Sequence, residues 1–264
     1  MLRLLSLLCV VCPLTLNAQD RKPIHVLIIT GDHGHAWKET TPYLRDLLSG
    51  AGMKVEVTET PSTDLTEKNL ARFDVLLLNY KDTRNGTPAS RWTDANKQAF
   101  TDAVKSGKGL VVYHHASSAF VGNAAFDAEF EKMISGGWRK QGNHGKRHEF
   151  NVTIRKNDHP ITRGMPSEFA HSNDELYQNS KMFPDSTTLA TAFSDKKIDP
   201  KNSGREEPVV WVAMYGKGRV CENVLGHDVA AMKSSSGFQA LLLRGIEWAA
   251  TGEVQSAVPG ELKK

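Results

Sequence analysis

Short hydrophobic runs alternate with segments of helical periodicity along the first half of the chain. The runs are rich in aliphatic and β-branched residues, which is typical of strands buried in a parallel sheet. They predict strands at Ile24–Thr30, Met53–Thr58, Phe73–Tyr80 and Leu110–Tyr113. The intervening segments predict helices at Thr40–Leu48, Thr63–Ala71 and Thr93–Ser106. This alternation of strand and helix predicts an α/β fold with a doubly wound, mostly parallel sheet and helices on both faces.

The second half of the pattern is less regular. It predicts helices at Ala124–Ile134 and Ser234–Thr251, strands at His148–Ile154 and Thr187–Phe193, and an antiparallel hairpin at Pro208–Leu225. The Gly-rich, polar segment 136–146 is expected to be a surface loop, and 168–178 to be irregular. Asn157–Gly164 is expected to be a loop because Pro160 interrupts any regular element.

The first eighteen residues, MLRLLSLLCVVCPLTLNA, have the composition of a secretory signal peptide. Arg3 precedes a short hydrophobic stretch, Pro13 interrupts it, and Ala18 closes an acceptable cleavage site. We therefore expect a signal peptide at 1–18, a single domain at 19–253 and a loose tail at 254–264. No later hydrophobic run is long enough to cross a bilayer, so we expect a secreted or periplasmic protein without a membrane span.

Charge and cysteine content narrow the functional classes. Loss of residues 1–18 removes one Arg and changes the formal net charge from +3 to +2. Because the basic residues are scattered, a nucleic-acid partner is not expected. Cys221 is the one cysteine beyond the leader. It cannot form an internal disulfide, and its position within a predicted strand indicates a small buried residue rather than a nucleophile.

Polar side chains follow four of the predicted strands or extended segments. These candidates are Asp32, His33 and His35; His114 and His115; Asp174 and Glu175; and His227 and Asp228. Because parallel strands present their carboxyl ends at one edge of a sheet, the four groups are expected to meet. Imidazole and carboxylate ligands suit zinc or another first-row divalent metal. The same groups could instead perform acid–base catalysis.

Each group also has a purely structural interpretation. Asp32 could cap a helix within a polar loop, Asp174 and Glu175 could be surface charge, and Asp228 could be a helix N-cap or the orienting partner of a histidine. The chain has no G-x-S-x-G elbow, Walker loop or G-x-G-x-x-G motif. Serine hydrolase, P-loop and dinucleotide chemistry are therefore not expected.

Seven segments resemble the ThuA-like (trehalose utilisation) family of the class I glutamine amidotransferase-like superfamily. They span most of the chain: HVLIITGDHGH, FDVLLLNY, GKGLVVYHHASSAF, NDHPITRG, DELYQN, YGKGRVCENVLGHD and FQALLLRGIEWAATGE. The resemblance implies a flavodoxin-like sheet with an added antiparallel part. It also places His114 where amidotransferases carry their catalytic cysteine, so glutamine hydrolysis is not expected.

The family resemblance gathers a set of residues at one cleft. It implies a cleft that carries His114, Glu175 and His227, with His33 or His35 from the first loop, and the first three are the expected catalytic residues. The imidazole and carboxylate donors themselves, rather than the resemblance, predict a divalent metal, with zinc favoured, held by His33, His35, His114, Glu175 and His227. Residues expected to contact substrate or support this set are Asp32, Trp37, His115, Asp174, Tyr177 and Asp228. Trp138 and Tyr113 are further aromatic candidates for stacking on a sugar.

The family is linked to trehalose and its 3-keto derivatives, so the expected partner is a sugar or glycoside. The first hypothesis is a carbohydrate-processing enzyme whose class, hydrolase, lyase or isomerase, stays open. The alternatives are a non-catalytic sugar-binding domain and a degenerate amidotransferase scaffold used for assembly. Convergent titratable groups in the cleft would favour the enzyme, and an aromatic cleft without them would favour the binding domain.

Export should be visible in the mass of the protein. We predict cleavage after Ala18, which gives a mature chain that begins at Gln19. Intact mass spectrometry of protein from its native host checks this prediction, and a cytoplasmic chain that retains residues 1–18 would contradict it.

Overall fold

The computed structural model describes residues 22–31, 34–82 and 91–263. The expected signal peptide, Asp32 and His33 lie outside these residues, as does most of the 81–90 loop. Thirteen strands are present in the described part: β1 His25–Gly31, β2 Lys54–Thr58, β3 Val75–Tyr80, β4 Gly109–Tyr113, β5 Gly136–Gly137, β6 Asn143–His144, β7 His148–Ile154, β8 Glu168–Asp174, β9 Tyr177–Gln178, β10 Lys181–Met182, β11 Thr187–Phe193, β12 Glu206–Tyr215 and β13 Gly218–Asn223.

The same residues contain seven α-helices: α1 Trp37–Gly50, α2 Pro61–Asp64, α3 Glu67–Leu70, α4 Asp94–Lys105, α5 Ala124–Met133, α6 Val229–Lys233 and α7 Ser236–Thr251. Two 3₁₀ turns cover His114–Ser118 and Gly260–Lys263. Of these helices, none combines the length and hydrophobicity needed to span a bilayer.

The main sheet has the strand order β2-β1-β3-β4-β13-β12-β11-β7-β8 within the described residues. The first five strands in this order are parallel. Beyond β13, each of the strands β12, β11, β7 and β8 pairs antiparallel with the strand before it. The predicted α/β class and flavodoxin-like arrangement are confirmed. The antiparallel part is larger than the expected hairpin, because β7, β8 and β11 extend it.

The central strands are hydrophobic on both faces because the sheet is covered on both sides. Val26 and Ile28 of β1 pack into one core with α1 and α7, whereas Leu27 and Ile29 pack into the other with α4 and α5. Consecutive strand side chains point to opposite faces. The continuous runs read from the sequence are therefore the signature of these two cores.

Local capping sets where several helices begin and end. Thr93 and Asn96 form a reciprocal capping box at α4. Ser235 accepts a bond from Phe238 N, so α7 begins at Ser236, two residues later than predicted. Gly252 ends α7 in a left-handed conformation, with φ of 82°. The single helix predicted at Thr63–Ala71 is two short helices, because the Thr66 side chain caps a new start there.

The end of the chain packs against α7. The Glu247 carboxylate accepts bonds from Gln255 N and Ser256 N at 2.9 Å each. Val258 is buried. Arg244 on α7 donates to the carbonyl oxygens of Pro160 and Arg163 at 2.8 Å each, which ties the Asn157–Gly164 loop to the same helix. The tail that we expected to be loose is thus docked by specific hydrogen bonds as far as it is described.

The β4–α7 contact requires a glycine. A Cβ on Gly109 would lie 2.6 Å from the backbone carbon and oxygen of Ala249. We predict that Gly109→Ala lowers the free energy of unfolding by about 1–3 kcal/mol, because backbone cannot yield cheaply. Gly50→Ala is the control, since that position at the end of α1 has nothing within 4 Å. Urea unfolding checks both variants. A Gly109→Ala protein with the same unfolding midpoint as the parent would contradict the prediction.

Candidate metal site

The site is organised around His114, the first residue after β4. Its backbone has a φ of 46°, in the left-handed region that a non-glycine residue rarely adopts. Its Nδ1 donates to Val224 O at 2.7 Å, which leaves Nε2 with its lone pair. Burial lowers the pKa of His114 to about 3, so the ring is neutral at pH 7. A neutral, oriented imidazole is the form in which histidine binds a metal.

The turn that carries His114 is held in place from behind. Ser117 O accepts a bond from Arg139 Nη1 at 2.7 Å, and Ser117 Oγ accepts one from Trp138 N at 3.0 Å. Strained backbone persists where surrounding contacts fix it. These bonds join the His114 turn to the segment that follows β5.

Glu175 is the point at which the other side chains converge. Its Oε2 lies 3.0 Å from His227 Nδ1, 3.7 Å from His35 Nε2 and 3.8 Å from His114 Nε2. Its Oε1 lies 3.7 Å from His144 Nε2. Burial alone would raise the pKa of Glu175, but the contact with His227 and the nearby imidazoles of His35 and His114 outweigh it and hold the pKa well below its usual value. The partner effect is mutual, because the bond to Glu175 raises the pKa of His227.

Asp174 shapes the turn that presents His227. Its carboxylate accepts bonds from His171 Nε2 at 2.7 Å, Gly226 N at 2.6 Å and His227 N at 3.0 Å. Burial would raise the pKa of Asp174, but the bond from His171 and nearby imidazoles lower it to about 2. Asp174 therefore supports His227 through its backbone amide. The usual partner of a metal-binding histidine would instead accept a bond from the imidazole ring.

Four residues offer ligand atoms that all lie within 4.8 Å of one another: His35, His114, Glu175 and His227. They follow β1, β4, β8 and β13. The sheet-edge argument accounts for the residues after the parallel strands β1, β4 and β13, whereas Glu175 follows the antiparallel strand β8, in a segment that we expected to be irregular. Three imidazoles and one carboxylate form a donor set that suits zinc and other first-row divalent ions. The chemistry of the donor set therefore fits a metal site.

The remaining predicted residues lie in different places. Tyr177 is buried, and its hydroxyl donates to His114 Nε2 at 3.1 Å. The His115 ring lies against His35 with centroids 3.9 Å apart. Trp37 is the first residue of α1 and lines a surface depression outside the four-residue cluster.

Asp228 begins α6. It accepts a bond from Ala231 N as the N-cap of that helix and forms an ion pair with Arg147 at 2.8 Å. The N-cap is one of the two structural roles that the sequence offered for Asp228. A role as the orienting partner of a metal-binding histidine stays a prediction.

Sequence reasoning missed His144, His171 and Glu222. His144 lies in the segment that we expected to be a surface loop, but Asn143–His144 pairs antiparallel with Tyr177–Gln178. The sequence could not reveal this strand at His144, because two-residue strands carry no detectable periodicity. His171 lies in β8, which we expected to be irregular. For His171, burial alternates along β8, but the sequence of that strand has no matching alternation of polar and apolar residues that could have revealed it.

Cys221 has the buried, structural position expected of it. The side chain is 1% exposed within β13. Burial raises the pKa of the thiol well above its usual value. A reactive cysteine needs the opposite shift.

Glu222 is a fully buried acid on β13. Burial raises its pKa to about 8, against the opposing effects of Ser117 and Arg139. Its native pKa therefore lies above that of an unfolded chain, near 4.5. Its contribution to stability is complete below pH 4.5 and is lost as the pH rises toward 8.

We predict that Glu222→Gln removes this loss. The variant should be more stable than the parent by about 1–3 kcal/mol at pH 8 and should differ little at pH 5. Denaturant unfolding at the two pH values checks this. Glu149→Gln, at an exposed position of β7, is the control. Equal free energies of unfolding for the parent and Glu222→Gln at pH 8 would contradict the prediction.

Comparison with known proteins places this chain in a family. A family model described as ThuA, trehalose utilisation, matches residues 25–249. A ThuA-like protein from Parabacteroides merdae is 30% identical, with 91% of this chain and 95% of that chain covered and a TM-score of 0.78. A ThuA-like protein from Bacteroides uniformis is 19% identical, with 88% and 95% covered and a TM-score of 0.68. A search of curated proteins gave no match.

The fold has wider relatives. A glutamine amidotransferase from Thermotoga maritima is 10% identical, with 88% of this chain and 100% of that chain covered and a TM-score of 0.52. The protein is thus an α/β protein of the amidotransferase-like fold whose strand ends carry a His/Glu cluster. Within that class, the chain belongs to the ThuA family.

Proposed function

We propose that this protein is a metal-dependent carbohydrate-processing enzyme that acts on a sugar or 3-keto-glycoside. The observation that carries the proposal is the convergence of His35, His114, Glu175 and His227 at one sheet edge. The ThuA description, trehalose utilisation, supports the substrate class. The family does not define the reaction, and hydrolase, lyase and isomerase chemistry all remain compatible with the donor set.

A metal bound by these four residues would supply Lewis-acid polarisation of a sugar oxygen. The chain's own residues position the ligands for that task. The bond from Nδ1 to Val224 O fixes the His114 ring, and Asp174 fixes the backbone of His227. The ionised Glu175 carboxylate would balance part of the positive charge of that metal. Tyr177 holds a proton at its hydroxyl, since burial raises its pKa well above the usual value.

The absence of a cysteine at the His114 position argues against glutamine hydrolysis. In the proposed assignment the imidazole takes the place of a thiolate nucleophile, which covalent amide chemistry would require. Cys221 cannot substitute, because it is buried within β13.

A non-catalytic sugar-binding domain is the second candidate. The observation that favours it is an aromatic pair beside the cluster, in which the Trp138 and Tyr177 rings meet edge to face with centroids 4.0 Å apart. Incubation of the metal-loaded protein with 3-keto-trehalose separates the candidates. Product formation supports the enzyme, whereas binding without turnover supports the second candidate.

We also propose that the protein works outside the cytoplasm. The support is the sequence of residues 1–18, with its basic start, short hydrophobic stretch and small-residue cleavage site.

Removal of a ligand side chain tests the metal directly. We predict that His114→Ala lowers zinc affinity by about 100-fold or more while the protein stays folded, because a ligand is lost from a preformed site. Competition titration with a zinc chelator and elemental analysis measure this loss.

His159→Ala is the control variant. The His159 ring packs against Trp248, with centroids 5.0 Å apart, and it belongs to the loop at Asn157–Gly164. Its zinc content should equal that of the parent. A His114→Ala protein that binds zinc as tightly as the parent would refute the assignment.

A further inference from the structure

His144 lies beside the four-residue cluster but is not part of it. It is carried by β6, which pairs with β9 so that His144 lies opposite Tyr177. Its side chain is 38% exposed, compared with 2% for His114 and 11% for Glu175. His144 is thus the histidine of the group that most faces solvent, where a ligand would enter.

The segment that carries His144 is fixed. A Cβ on Gly145 would lie 2.0 Å from Asn202 Oδ1, and one on Gly142 would lie 2.3 Å from the Trp138 ring. Lys146 N donates to Asp199 Oδ2 at 3.0 Å. Because packing and hydrogen bonds hold this backbone, His144 is presented in a set orientation, as a recognition group should be.

The hydrogen bond at His144 Nδ1 determines that the other ring nitrogen, Nε2, is a hydrogen-bond acceptor. His144 Nδ1 lies 2.8 Å from Gly145 O, and a carbonyl can only accept, so Nδ1 carries the proton. In the neutral ring, Nε2 therefore presents a lone pair. It lies 3.7 Å from Glu175 Oε1, which is also an acceptor. Two acceptors this close are satisfied by donor groups that lie in front of the pair, each within hydrogen-bond distance of one acceptor.

A pair of neighbouring hydroxyl groups supplies such donors, one to each acceptor. Glu175 can meet a metal through Oε2, on the side of His35, His114 and His227, and keep Oε1 for the ligand. The rings of His144 and Tyr177 lie beside this acceptor pair. Their planes are nearly parallel, at an angle of 26°, and their centroids are 6.3 Å apart.

We propose that His144 Nε2 and Glu175 Oε1 form a two-acceptor clamp for adjacent hydroxyl groups, and that His144 determines specificity for vicinal diols such as those of a pyranose sugar. This inference rests on the proposed function and specifies its substrate class. His144 binds substrate in this assignment and does not hold the metal.

The test compares sugars that differ in one hydroxyl group. Binding of glucose, 2-deoxyglucose and 3-deoxyglucose to the zinc-loaded full chain is measured by calorimetry. His144→Phe keeps a flat ring but removes the acceptor. We expect the parent to prefer glucose over at least one deoxy sugar by about tenfold, the equivalent of one hydrogen bond. In His144→Phe, this preference should fall to about onefold, while zinc affinity stays unchanged.

His148→Phe is the matched control. His148 Nδ1 also donates to a backbone carbonyl at 2.8 Å, that of Lys146. Its backbone pairs with Asp174 across β7 and β8, but the ion pairs of Glu175 within the described part of the chain do not include the His148 ring. Its sugar preference should equal that of the parent. His144→Gln, which restores an acceptor, should recover part of the preference, and it serves as the test variant if His144→Phe does not fold.

The outcomes separate the inference from the function on which it rests. An unchanged sugar preference in both His144 variants overturns the clamp and leaves the proposed function standing. Loss of zinc in His144→Phe makes His144 a metal ligand and also overturns the clamp. A parent protein that binds neither zinc nor any of these sugars overturns the proposed function, and the clamp with it.

Discussion

One buried carboxylate, Asp174, connects the two halves of the sheet at the site. It lies at the end of β8, the outermost antiparallel strand, yet it binds the amides of Gly226 and His227 beyond the parallel strand β13. An ionised group without solvent needs such partners, because an unpaired buried charge is strongly unfavourable. His171 and three backbone amides, those of Glu175, Gly226 and His227, satisfy it. The same contact brings the neighbouring Glu175 to the His227 turn, so loss of Asp174 would separate the carboxylate from its imidazoles.

The second constraint is the backbone of His114. A left-handed conformation directly after a buried strand turns the side chain across the strand ends rather than into the core. Ser117, Arg139 and Trp138 anchor the turn from one side, and Val224 anchors the ring from the other. Because the Tyr177 hydroxyl bonds to Nε2 of this ring, it would have to turn away for His114 to hold a metal. The same hydroxyl lies 3.4 Å from His115 Nδ1.

Long hydrophobic strands made much of this arrangement predictable from the sequence. Residues that follow β1, β4 and β13 had to lie at one edge once the strands were known to be parallel. The contributions of His144 and His171 were not predictable in this way. His144 depends on a two-residue strand pair whose partners are far apart in sequence, and His171 depends on the pairing of β8 with β7 at the antiparallel edge of the sheet. Asp228 shows a further limit, because a helix N-cap and a metal-site partner have the same local sequence.

The buried position of Cys221 gives the molecule an internal reporter. The thiol lies in β13, between β4 and β12, and packs where Gly245 of α7 leaves room for its sulfur. A thiol reagent can reach it only when the centre of the sheet separates from α7. The two other cysteines belong to the first eighteen residues. In a chain without that segment, the rate of thiol labelling would time the opening of the strand that leads into the His227 turn, without any engineered probe.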